Sequence, residues 1–234
     1  MLLFCLAIMS HTGYGQEKSG FALLELYTSE GCSSCPAAEA LMPELEQKYG
    51  EKLYILEFHV DYWDRLGWKD RFASGAYSAR QQWYSGYFGA NTVYTPQAVV
   101  NGKAHTTGSN KAKVTSLILQ ELTKTEQGRN IGFTVAEKGQ AVTIEYTVKL
   151  QTDETLNFAL VQDKATIKVG KGENAGRTLT HHNIVREFET VTGNTGRVQM
   201  QVPSGPDVGD WHIVAFIQNK KSGHIKVATR TIRV

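Results

Sequence analysis

Two cysteines two residues apart, set where a strand gives way to a helix, leave this chain few ways to fold. Phe21–Tyr27 is an apolar run too short for a helix and reads as a buried strand. Thr28–Gly31 is a turn, and Gly31-Cys32-Ser33-Ser34-Cys35-Pro36 follows it. From Pro36 onward Ala38, Leu41, Met42, Leu45 and Tyr49 recur at helical spacing until Gly50 closes the segment. The first turn of a helix has backbone N–H groups without intrahelical partners and the positive end of the dipole, and both favour a thiolate. Lowering a cysteine pKa from about 8.5 to about 7 takes roughly 2 kcal/mol, within reach of such groups acting together. Cys32 is therefore expected as the outer, nucleophilic residue and Cys35, a turn deeper, as the resolving thiol.

The third cysteine, Cys5, lies in an apolar stretch from Leu2 to Met9 that is too short to span a bilayer. With the small residues Gly13 and Gly15 after it, this stretch reads as the core and cleavage region of a signal peptide over residues 1–19, although no Lys or Arg precedes it. Phe4 argues against a lipid anchor on Cys5. Removal of the leader would leave Cys32 and Cys35 alone, which excludes a disulfide framework and points to redox work in a periplasmic or secreted protein. No membrane span is expected after cleavage. A net charge of +2, not segregated into runs, supplies no field for nucleic acid.

Leu53–Asp61 reads as a second strand, so strand, helix and strand form a βαβ unit with a right-handed crossover. Residues 62–94 then carry ten aromatics in 33 positions, against a chain average of 10%, and Phe72, Ala76, Ala79, Trp83 and Tyr87 fit one helical face. Gln97–Val100 is a third strand ending in Asn101-Gly102, a strong hairpin signal, with Lys103–Thr107 returning. Ser109 or Asn110 can cap a helix covering Val114, Leu117, Ile118 and Leu122, and Gly128 ends this unit. From Asn130 the apolar period is two, as in Val142, Ile144, Tyr146, Val148 and Leu150. About seven strands separated by Gly-rich turns suggest a β-sandwich. The expected organisation is a leader over 1–19, an α/β domain with a helical aromatic-rich insertion over 20–128, and an all-β sandwich over 129–234.

This order, with CxxC at a helix start and an X-Pro before the hairpin, resembles the thioredoxin fold. More narrowly, Glu25–Pro36, Phe58–Asp70, Tyr94–Gln97 and Gly172–Thr180 resemble the exported bacterial family catalogued as domain of unknown function 1223. That resemblance covers roughly residues 21–234 and implies a thioredoxin-like domain and an exported location. It also implies a cis proline opposite the cysteines, here Pro96, with the backbone of Thr95 pairing to a substrate chain. Two positions depart from the thioredoxin pattern. Leu26 stands where those proteins carry a buried acid, with Glu25 on the opposite strand face, and Pro43 stands eight residues past the second cysteine rather than five.

His59 and Asp61, two apart on the second strand, should share a face near its C-terminal end, where either could move a proton for Cys35 or the two could form a hydrogen-bonded polar pair that anchors the aromatic insertion. Trp63 and Trp68, in a polar stretch, are the aromatics expected to be exposed near the thiols, as part of a substrate surface. Zinc at the CxxC would need four ligands and there is no second CxxC, so no metal is assigned; copper(I) could take both thiolates with His59. Gly170–Gly176 lacks the ending of a phosphate loop and reads as a flexible strand connection. His181 and His182 face opposite ways on a strand and cannot easily share a metal. The sequence thus leads to the expectation of an exported thiol–disulfide oxidoreductase that acts on protein thiols or disulfides. It would need a redox recycling partner and no organic cofactor. The alternatives are an envelope binding module with a structural CxxC disulfide and a copper(I) chaperone.

Overall fold

The computed structural model describes residues 20–90, 92–124, 129–138, 140–202 and 210–231. The expected leader with Cys5, the break at Gly128 and one of the expected Gly-rich turns, at 203–206, lie outside the described residues. Strand β1 (Ala22–Thr28) is buried along its whole length because it has neighbours on both edges and both faces. Its alternation sorts the core. Ala22, Leu24 and Leu26 face a layer of helices, while Leu23 and Tyr27 face the other side.

The helical stretch after the cysteines forms as two pieces, α1 (Cys35–Glu39) and α2 (Leu41–Tyr49). Pro43 explains the break: it has no N–H to give the carbonyl of Glu39, so the helix parts at Ala40. Gly50, at φ 55°, ends α2, and β2 (Leu53–His59) returns parallel to β1, from Ala22↔Leu53 to Thr28↔His59. Strands β3 (Gln97–Val100) and β4 (Ala104–Thr107) form the hairpin, and Asn101 and Gly102 both take positive φ, 46° and 63°. Asn110 caps α4 (Lys111–Leu122) by accepting from the N–H of Lys113. Val114, Leu117 and Ile118 then pack beside Leu41, Met42 and Leu45 on one face of the sheet.

The aromatic segment supplies a 3-10 turn over Asp61–Leu66 and helix α3 (Gly75–Tyr87). The face of α3 that packs inward is not the apolar stripe read from the sequence. Tyr77, Ser78, Gln81, Tyr84 and Ser85 are buried, whereas Ala76, Ala79 and Trp83 are exposed. Polar partners on the sheet decide this. Arg80 holds the buried Glu25 with two bonds of 2.6 and 2.9 Å, Tyr84 donates to the same carboxylate, and Gln81 donates to Gln97.

Among the described residues beyond 130 come seven strands: β5 (Gly132–Lys138), β6 (Ala141–Thr147), β7 (Glu154–Lys168), β8 (Thr178–Val191), β9 (Thr195–Gln201), β10 (Trp211–Asn219) and β11 (Ile225–Arg230). Four of them extend the sheet begun by β1–β4. Its order is β11-β10-β7-β8-β2-β1-β3-β4, joined where β8 lies parallel to β2 at Glu57↔Ile184. The other three form a sheet β5-β6-β9, and Val142, Ile144 and Met200 from it meet Leu156, Phe158, Leu160, Ile213 and Ile217 in one apolar layer. Among the described residues, no helix is long and apolar enough to cross a membrane.

Candidate functional site at the Cys32–Cys35 disulfide

Cys32 and Cys35 are joined in a disulfide, with Cα atoms 5.4 Å apart. The loop between them is wound by two backbone bonds, Cys32 N–H to Ser29 O at 3.1 Å and Cys35 N–H to Cys32 O at 3.2 Å. Cys35 begins α1, and Ser33 and Ser34 are exposed. Cys32, expected as the outer residue, is fully buried, as is Cys35. The cover comes from a part of the chain that the sequence marked as a family stretch but read as a flexible connection. The buried Asn174 donates to the carbonyls of Glu30 and Cys32, both at 2.9 Å, and its own oxygen accepts from Arg177 at 2.7 Å. Glu173 accepts from the N–H of Ser33 at 3.0 Å, and the hydrogen bonding from Ser33 lowers its carboxyl pKa. Segment 170–176 therefore clasps the cysteine loop.

The Thr95-Pro96 bond is cis as expected. The indole N–H of Trp63 donates to Thr95 Oγ1 at 2.8 Å, and a Cβ added at Gly31 would lie 3.0 Å from that of Trp63. Trp63 thus bridges from the residue before Cys32 to the residue before the proline. Pro96 in turn reaches α1 through Gly108, where a Cβ would meet Leu26, Ala38 and Pro96 at 2.7, 3.1 and 3.3 Å. Trp68 donates to Glu30 Oε2 at 2.5 Å and packs under Gly170. Both tryptophans, expected to be exposed, are half-buried; each spends its indole N–H on the covering of the loop.

His59 and Asp61 part company. Strand β2 ends at His59 and the chain turns, so Asp61 accepts from Ser78 on α3 at 2.5 Å instead of sharing a face with His59. The partner of His59 is Asp70, with Nδ1 2.7 Å from Oδ2. His59 belongs to a buried cluster that sequence reading did not assemble: Glu30, Glu39, Glu57, Asp70 and His181. His181 lies between Glu39 Oε2, 3.1 Å from its Nδ1, and Glu30 Oε1, 3.7 Å from its Nε2, and its ring centroid is 4.8 Å from that of His59. Burial works against charge on His59, but the Asp70 carboxylate, with Glu39 and Glu30 behind it, holds its pKa above the ordinary value. Burial, reinforced by the Glu39 charge, raises Glu57 well above the usual range. Burial likewise opposes charge on Glu39, and His181 overcomes it to keep that carboxyl low. The i, i+2 pair Glu57 and His59 and the i, i+4 pair Cys35 and Glu39 were visible signals of a polar face beneath the cysteines. The arrival of His181 from β8 was not.

These features define a class: mixed α/β proteins whose central strand runs into a covered CxxC disulfide. The chain belongs to the family described as protein of unknown function, DUF1223, whose model matches residues 23–218. It is similar to a crystal structure of protein AGR_C_4864 from Agrobacterium tumefaciens, with 26% identity, a TM-score of 0.66, and coverage of 93% of this chain and 96% of that one. HBP35 of Porphyromonas gingivalis shares the fold at 12% identity and a TM-score of 0.59, over 93% of this chain and 76% of its own. No curated protein matches the chain.

Proposed function

We propose that this chain is an exported thiol–disulfide oxidoreductase, built on a thioredoxin-like arrangement, that exchanges its Cys32–Cys35 disulfide with protein substrates. The observation that carries the reading is the position of the disulfide, at the start of α1 and linked through Trp63 to the cis Thr95-Pro96 bond. A substrate thiolate attacks Cys32 Sγ, the bond to Cys35 breaks, and Cys35 leaves as a thiolate that takes up a proton. A second substrate thiolate then attacks the mixed disulfide. The substrate leaves with a disulfide, and Cys32 and Cys35 remain as a dithiol for a recycling partner to reoxidise. The reverse sequence reduces a substrate, and the potential of the pair sets the direction. Because both sulfurs are buried, attack on Cys32 requires the Asn174 clasp or Trp63 to move aside.

Complete burial of both sulfurs favours a second reading, a structural staple in an envelope binding module. Equilibration of the full chain with glutathione buffers separates the two. An exchanging pair comes to equilibrium above about −300 mV, whereas a staple stays oxidised to lower potentials. In cells, Cys35→Ser should accumulate mixed disulfides through Cys32. A pool free of such adducts, together with a pair that resists reduction, overturns the enzymatic reading.

A further inference from the structure

The layer between β1–β2 and the helices changes character along its length. At the start of the strands Leu24, Leu53 and Ile55 pack on Leu41, Met42 and Leu45. At the other end Thr28, Glu57 and His59 occupy the same strand face, Glu39 comes down from α1, and His181 enters from β8. One donor atom from each of Glu57, His59 and His181 can be chosen so that all three lie within 4.8 Å of one another, and all three residues are buried. Among the described residues, Glu57 Oε1, His59 Nε2, His181 Nε2 and Glu30 Oε1 are buried without a hydrogen-bond partner, and His181 Nδ1 has only the Glu39 carboxylate, at 3.1 Å. A buried orphan of this kind costs about 1–3 kcal/mol, and four share one small region. The same region sets the four carboxyls of Glu30, Glu39, Glu57 and Asp70 against two imidazoles.

We propose that Glu57, His59 and His181 form a site for one divalent transition-metal cation of the zinc type, with Glu39 as the adjoining carboxylate that closes it. Two imidazoles and carboxylate oxygen are a donor set that holds zinc. Bonds of about 2.0–2.1 Å put donors about 3.3 Å apart, so small side-chain rotations gather the set. The surroundings are those of a ligand histidine. The Nδ1 of His59 faces Asp70, whose carboxylate also accepts from the N–H groups of Glu30 at 2.9 Å and Phe72 at 2.9 Å. That leaves Nε2 as the free donor, in the carboxylate–histidine–metal arrangement that orients ligands elsewhere. The cation would tie β2, β8 and α1 together, with Glu39 one helical turn after Cys35 on α1.

The test uses the full chain with its disulfide intact and any free thiol alkylated, stripped with a chelator and titrated with Zn²⁺ by calorimetry and with Co²⁺ by visible absorption. One equivalent should bind saturably, with the intense visible bands of four-coordinate cobalt. Asp70→Asn should weaken binding about 10–100-fold, and Glu57→Gln and His59→Gln should abolish it. Failure of folded, stripped wild-type chain to bind either ion overturns the proposal, as does unchanged affinity in a folded Glu57→Gln or His59→Gln. If those variants do not fold, the wild-type titration and the cobalt spectrum decide alone.

Discussion

Asn174 carries more of the site than any residue between the cysteines. It is buried, it faces the loop from 142 positions away, and its amide satisfies the carbonyls of Glu30 and Cys32 at once. Asn174→Ala leaves both carbonyls without that donor, at a cost of about 1–3 kcal/mol. Much of that loss falls on the covered state of the disulfide. Reduction of Cys32–Cys35 by dithiothreitol should therefore accelerate by roughly tenfold for each 1.4 kcal/mol lost, followed by quenched alkylation; an unchanged rate would show that the clasp does not limit access. The cysteines and Pro96 were legible because their chemistry is local. The role of Asn174 was not, since its stretch was marked by resemblance alone and a Gly-rich connection carries no sign of the loop it will cover.

Among elements, two hairpins from opposite edges of the sheet lock into each other at their turns. The turn at Asn101-Gly102, readable from its dipeptide, receives the β10–β11 turn. Ile225 N–H donates to Asn101 O at 2.9 Å, and a Cβ at Gly102 would collide with the carbonyl oxygen of Gly223. His224 is caught in this junction. Burial, with the Lys103 and Lys226 charges nearby, pushes its pKa down to about 4, against about 6.5 in an unfolded chain. Between those values the unfolded state binds the extra proton, so the stability held by neutral His224 is complete above about pH 6.5 and is lost as pH falls toward 4. An NMR titration should find the His224 ring neutral at pH 5, and His224→Gln should flatten the fall in urea midpoint between pH 7 and 5. A ring titrating near 6.5 would refute this. The face buried by α3 shows the limit of periodicity at this scale. The apolar stripe is real, but the carboxylate of Glu25 beneath the helix draws in Arg80 and Tyr84 and turns the stripe outward.

Across the whole molecule the decisive contact is β2 against β8. Tyr27, Phe58 and Tyr84 share one apolar cluster with Val185, Phe216 and Ile225, so the layer under α3 is built from both ends of the chain. A fragment of residues 20–128 should expose that layer and the free edge of β2, and should lack the near-ultraviolet dichroism of the full chain, which should itself unfold in one cooperative transition. A soluble fragment with a full complement of fixed aromatics would contradict this. What the sequence by itself determined was whatever neighbours in the chain can settle: the strand before the cysteines, the helix after them, the Asn-Gly hairpin, the alternating strands past residue 130, and membership of a family marked by contiguous stretches. Tertiary structure alone decided that Cys32 is covered, that Asp70 rather than Asp61 is the partner of His59, and that His181 joins Glu57 and His59. Those outcomes depend on which distant strand becomes a neighbour, and the pairing of β8 with β2 is settled by packing over the whole sheet rather than by any local pattern.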